Sequence, residues 1–229
     1  MCLKVKGIEF KEKTANEDIV VYKVLSYRGS FKSYGGPIFD TPYMCSKVSL
    51  GKRYTISGEY KFDRVKKFWQ KAYYVYGKSY HTFKNRSDAE AFVDNFEKSY
   101  NFCVVEAVIP SGSKYVEGEF ISADFGKVPC YASDAVEYKK VLYPDSIVKS
   151  YKVDEIVASR PKKDDILKTI SDLEDIIGHE ADCVIVGKAE AELEIYNEVL
   201  TTIKLEEAFN KAKRVRMGIE PWIPPYAVI

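Results

Sequence analysis

The stretch Phe102-Cys103-Val104-Val105-Glu106-Ala107-Val108-Ile109 decides the reading of this chain. It is apolar, rich in β-branched residues and closed by Pro110-Ser111-Gly112, so it reads as a strand ending in a turn. Side chains alternate along a strand. Val104, Glu106 and Val108 therefore point one way, and Cys103, Val105, Ala107 and Ile109 the other. Working upstream, Ser87 and Glu90 have capping-box spacing, and Ala89, Phe92, Val93 and Phe96 form an apolar stripe behind them, which predicts one helix. Strands are predicted at Ile19 to Leu25 and at Ala72 to Tyr76, and a strand, turn and strand at Gly51 to Phe62. Gly29 to Pro42 holds three glycines and two prolines and reads as an irregular loop. Downstream, Val136 to Leu142 is a further strand.

Past that strand the character of the chain changes. Sixteen of the 18 tyrosines precede residue 159, and net charge turns from +5 over 1–158 to −4 over 159–229. Ala158-Ser159-Arg160-Pro161-Lys162-Lys163 marks the break, because proline biases Arg160 away from helical backbone. Ile166, Ile170, Leu173 and Ile177 then recur at helical spacing, behind Asp164 and Asp165, which suit the positive end of the helix dipole. A longer helix is predicted from about Val184 to Arg214, with Leu193, Tyr196, Leu200 and Ile203 as its stripe. The expected class is α+β: a β-rich domain over 1–158 with one inserted helix, then an antiparallel helical hairpin over 159–229. The apolar tail Glu220-Pro221-Trp222-Ile223-Pro224-Pro225-Tyr226-Ala227-Val228-Ile229 either docks on the chain itself or binds a partner as an extended segment.

Composition narrows the function classes. The chain has 229 residues, 46% apolar and 30% charged, in the range of an ordinary globular protein. Its 35 basic and 34 acidic residues leave a net charge of +1, so charge alone gives no case for nucleic acid or an anionic membrane. No apolar run is long enough to span a membrane, and no apolar signal core follows Met1, which predicts a cytoplasmic protein. Cys2, Cys45, Cys103, Cys130 and Cys183 are scattered, which argues against a disulfide framework. His81 and His179 stand far apart without metal-ligand spacing, so no metal is expected.

Candidate chemistry is sparse. No phosphate-binding glycine loop and no nucleophile elbow is present. His81, between an aromatic strand and the helix, is a ligand contact or a hydrogen-bonded structural histidine. Glu106 is either a half-buried carboxylate fit for proton transfer or ribose binding, or a residue on a solvated sheet face. Glu117 and Glu119 share a face if extended. Arg64, Lys66, Lys67 and Lys71 interleave with Phe68 and Trp69, as in single-strand nucleic-acid binders, or simply form a solvated edge.

The order of elements resembles the ADP-ribosyltransferase fold over roughly residues 19–153. The resemblance is carried by Val21-Tyr22-Lys23, by Tyr80-His81-Thr82-Phe83 before the helix, by Val105 through Pro110-Ser111-Gly112-Ser113-Lys114, and by Tyr131 through Glu137 to Pro144. In that family a first-strand arginine or histidine helps hold NAD, a Ser-Thr-Ser-like strand orients it, and a late glutamate polarises the nicotinamide ribose. Here Lys23, or alternatively Arg28, stands for the arginine, and His81-Thr82-Phe83 stands for Ser-Thr-Ser. The late Glu-x-Glu has no clean counterpart, Asp134 and Glu137 being nearest. The resemblance thus implies Glu137 and Thr82 as catalytic candidates, and Lys23, Arg28 and His81 as NAD contacts.

With every signature altered, the expected function is a binding or interaction protein without catalysis and without a cofactor. It would engage a protein partner or itself through the C-terminal helices and tail. The composition also resembles small accessory proteins of bacteria and their viruses, which would place it in a host cytoplasm. The alternatives are an NAD-using ADP-ribosyltransferase and a single-strand nucleic-acid binder.

Overall fold

A computed structural model describes residues 3–5, 12–31, 36–41, 46–56, 63–67, 72–76, 79–96, 101–122, 126–180 and 182–217. Two compact units divide it, 1–151 and 152–229. The basic and aromatic side chains expected at 64–71, Cys2, and the apolar tail lie outside the described residues.

The first unit is a single antiparallel sheet. Its central path runs through β6 (Arg53–Thr55), β13 (Ala135–Tyr143), β10 (Phe102–Ile109), β3 (Ile19–Phe31), β9 (Tyr80–Phe83), β12 (Gly126–Ser133) and β11 (Lys114–Ser122). It continues through β1 (Leu3–Val5), β8 (Ala72–Tyr76) and β7 (Asp63–Lys67). The short β2 (Lys13–Thr14) joins β11, while β4 (Gly36–Asp40) pairs with β3 and with β5 (Lys47–Val48). β10 lies along β3 in unbroken register from Phe102 opposite Ser26 to Ile109 opposite Ile19. Every residue of β10 except Glu106 is buried, as its apolar run predicts.

Only Asp134 separates β12 from β13, yet three strands stand between them on the path. The sheet therefore curls until its two limbs meet at this corner. There the Asp134 carbonyl accepts the Ile56 amide at 2.9 Å, and its own amide donates to the Lys114 carbonyl at 3.0 Å. Inside the curl lie Val21, Leu25, Val105, Ala107, Tyr131 and Tyr138, drawn from both limbs. On the outer face α1 (Arg86–Phe96) packs Ala89, Phe92 and Val93 against Val24, Val104 and Cys130. The helix begins one residue before the expected cap, and Glu90 pairs with Arg86 at 2.6 Å.

Two elements differ from expectation, and one ambiguity is resolved. The supposed loop after Gly29 is largely a hairpin: β3 runs on to Phe31 and β4 returns beside it, with a bulge between Tyr27 and Ser30. That bulge absorbs the glycine that looked like a breaker. Glu117-Gly118-Glu119 is extended, mid-strand in β11, the first of its two open readings. The helix α2 (Asp145–Ala158), which the sequence reading left unassigned, carries the division between the units, which falls at 151/152 and not at Ala158.

The turn after β10 requires glycine at one position. Gly112 has φ of +80°, and its amide bonds to the Ala15 carbonyl at 2.8 Å. An added Cβ would meet no neighbour within 4 Å, so substitution acts through backbone strain alone. Gly112→Ala is expected to cost about 1 kcal/mol, measured as a lowered urea midpoint with unchanged slope.

The second unit is helical. α3 (Lys163–His179) and α4 (Cys183–Arg216) share a core of Ile166, Ile170, Val199 and Leu200, joined by Val153 from the end of α2. Asp182 opens α4 by accepting the Val184 amide at 2.8 Å, an N-cap that satisfies one of the first-turn donors. Among the described residues no helix is long and apolar enough to cross a membrane.

Candidate functional site

Among the described residues β3 and β9 pair through Tyr22 and Phe83, both on the outer face. One step along each antiparallel strand are Lys23 and Thr82, so alternation sets these two side by side on the inner face. On the other side of Lys23, Val105 of β10 shares that face. The lysine reaches across the gap between β3 and β9, and its Nζ donates to the His81 carbonyl at 2.6 Å. An ammonium carries three donors, and the other two have no acceptor among the described residues.

Thr82 is fully buried, and its Oγ1 has no hydrogen-bond partner among the described residues. Lys23 forms no ion pair there either. Lys23 is half-buried, an ammonium partly withdrawn from water is costly, and burial brings its amine down to about 8. Farther along the same face lies a tyrosine cluster. The rings of Tyr54 and Tyr138 are 5.6 Å apart, and the buried Tyr138 hydroxyl lacks a described partner. Burial raises the hydroxyl pKa of both Tyr138 and Tyr80.

His81 points to the outer face with Ala132, its partner in β12. Its Nε2 lies 2.8 Å from the Ser79 Oγ, while Nδ1 is buried without a described partner. Burial, and next the Lys23 ammonium, hold the imidazole down at about 3. The ring is therefore neutral at neutral pH.

The remaining expected residues are dispersed. Val136 and Tyr138 line the inner face, so Glu137 between them projects outward, where it pairs with Lys139. Arg28 is also outward relative to Lys23 by strand alternation, and its Nε pairs with the buried Asp40 at 2.5 Å. Glu106 faces outward too, 3.5 Å from the Lys140 Nζ. Glu117 pairs with Lys13 at 3.2 Å. The sheet thus brings Lys23 and Thr82 together and sets Glu137 and Arg28 on its opposite face. Sequence reasoning missed the Tyr54, Tyr80 and Tyr138 cluster. Its signal was the concentration of tyrosine before residue 159.

Among the described residues no three His, Cys, Asp or Glu side chains converge as metal ligands would. Comparison with family models, with curated proteins and with solved structures finds no match.

Proposed function

We propose that this chain is a binding protein without catalysis, and that the inner face around Lys23 and Thr82 takes the oxyanion group of a small acidic ligand. The observation that carries this reading is the pairing of an ammonium lacking a described counter-charge with a buried, unbonded hydroxyl on adjacent strands. An incoming carboxylate or phosphate oxygen satisfies both at once. NAD is one such ligand, and the scaffold resemblance favours testing it first.

The alternative, an ADP-ribosyltransferase, wants a carboxylate beside the held nucleotide. Glu137 stands across the sheet from Lys23, which favours binding over transfer. Titration calorimetry with NAD, and separately with inorganic phosphate, tests the site on the wild type, Lys23→Met and Thr82→Val. Saturable heat that both substitutions abolish supports it. Equal heat in all three proteins, or none in the wild type with either ligand, ends the reading. Transfer of ADP-ribose that Glu137→Gln abolishes would move the assignment to the enzyme.

A further inference from the structure

Two fully buried hydroxyls stand on opposite limbs of the curled sheet, Thr82 on β9 and Tyr138 on β13. Neither has a hydrogen-bond partner among the described residues. Buried hydroxyls ordinarily find one. Apolar packing accounts for the Tyr138 ring, but a phenylalanine would pack there without stranding an oxygen. Tyr80 links the two ends. It lies two residues from Thr82 on β9, hence on the same face, about 7 Å along the strand. After burial, the phenols of Tyr80 and Tyr54 are what raise the Tyr138 hydroxyl, and the Tyr54 ring is 5.6 Å from the Tyr138 ring. Side chains of the two limbs therefore approach one another over the inner face.

The lining beside Thr82 is aromatic and basic. Tyr131, opposite Thr82 in β12, meets the Tyr115 ring edge-on with centroids 5.6 Å apart. Lys84, two residues beyond Thr82, holds its Nζ 5.7 Å from the Tyr131 ring centroid. Lys23, Tyr54 and Tyr80 are half-buried, so solvent reaches the inner face at these side chains. We propose that the ligand of this face is a planar aromatic acid that bridges the two limbs. Lys23 and Thr82 hold its oxyanion, and the Tyr138 hydroxyl holds a polar group at the far end of its ring. This rests on the oxyanion reading above and extends it to a ligand class. An aromatic body suits a wall of tyrosine rings, which take a flat ring by offset or edge-to-face contact. The far end has to be polar, because an apolar one would leave the Tyr138 hydroxyl stranded.

Titration calorimetry of the full chain with two pairs of probes tests it. One pair is benzoate and para-hydroxybenzoate; the other, of longer reach, is phenylpropionate and its para-hydroxy derivative. In the wild type the hydroxylated member of at least one pair is expected to bind about tenfold or more tightly than its parent. Tyr138→Phe should erase that preference, so that the two members bind alike. Its urea midpoint should be no lower than that of the wild type, since only an unpaired hydroxyl is removed. Lys23→Met should weaken all four acids. Equal affinity within both pairs overturns the proposal, and so does a preference that survives in Tyr138→Phe. Affinities that Lys23→Met leaves unchanged overturn both the proposal and the oxyanion reading. If none of the four acids binds, while phosphate or NAD binds and Lys23→Met and Thr82→Val abolish it, the proposal fails and the oxyanion reading stands. If no anion binds, both fail.

Discussion

Replacing Lys23 by methionine should make the protein more stable at pH 7. In the unfolded chain the amine titrates near its ordinary 10.5, whereas burial lowers it to about 8 in the fold. Below pH 8 both states hold the proton, and the folded state bears the cost of keeping the half-buried Lys23 charged. That cost is about 3 kcal/mol for a displacement of this size. Methionine matches the length of the stem and carries no charge. It removes the cost but leaves the His81 carbonyl without the lysine donor, so a net gain of about 2 kcal/mol is expected. The pH dependence gives the effect a signature. Between pH 8 and 10.5 the unfolded chain binds more protons than the folded one, so wild-type stability rises with pH. From pH 7 to pH 10 the rise from this group is about 2.5 kcal/mol, and Lys23→Met should lack it. Urea midpoints at both pH values decide the matter. A methionine variant less stable than wild type at pH 7, with the same pH slope, would show that the ammonium is compensated.

The same result bears on function. A protein that keeps a destabilising charge in its interior maintains it against a stability cost, and such costs gather at binding sites. An oxyanion bound there should raise wild-type stability at pH 7 toward that of the methionine variant, because it binds the folded state alone.

What the sequence made legible is what local periodicity controls. β10 announced itself because its apolar run ends in Pro110-Ser111-Gly112, and α3 because Ile166, Ile170 and Leu173 repeat at helical spacing. The β3–β4 hairpin was hidden because Gly29 and Pro37 resemble loop residues until a bulge and an edge pairing accommodate them. α2 was hidden because its buried positions are few: only Val153 is fully covered. The site itself was half legible. Lys23 and Thr82 were singled out by the resemblance in element order, but their adjacency depends on one cross-strand pair, Tyr22 with Phe83. Glu137 shows the converse. It looked catalytic because it follows Asp134 on a late strand, yet a shift of one position on a strand reverses its face. The bulges between β10 and β13, which fix that register, have no sequence signature in a single chain.

Mild acid should destabilise the fold through His81. The imidazole is buried beside a carbonyl-bound ammonium, and its value falls from 6.5 to about 3, chiefly by burial. A histidine depressed in the fold is neutral there while the unfolded chain takes up a proton. Stability is therefore full above pH 6.5 and falls as pH drops from 6.5 toward 3. Between pH 7 and pH 5 the loss amounts to about 2 kcal/mol. Most carboxylates remain ionised at pH 5, so few other groups contribute in this window. His81→Leu keeps an apolar side chain against the outer core and has nothing to protonate, so its urea midpoint should change little over the same range. His179 is exposed and present in both proteins, so it cancels in the comparison. Equal acid sensitivity in both proteins would place the titrating group elsewhere. A flat wild-type profile would mean that the imidazole takes up its proton without leaving the fold. Lys23 sharpens the test, since its ammonium is the second cause of the histidine shift. In the Lys23→Met background the acid loss should begin at the same pH but level off sooner and be smaller in total, because the folded ring protonates more readily once the neighbouring charge is gone.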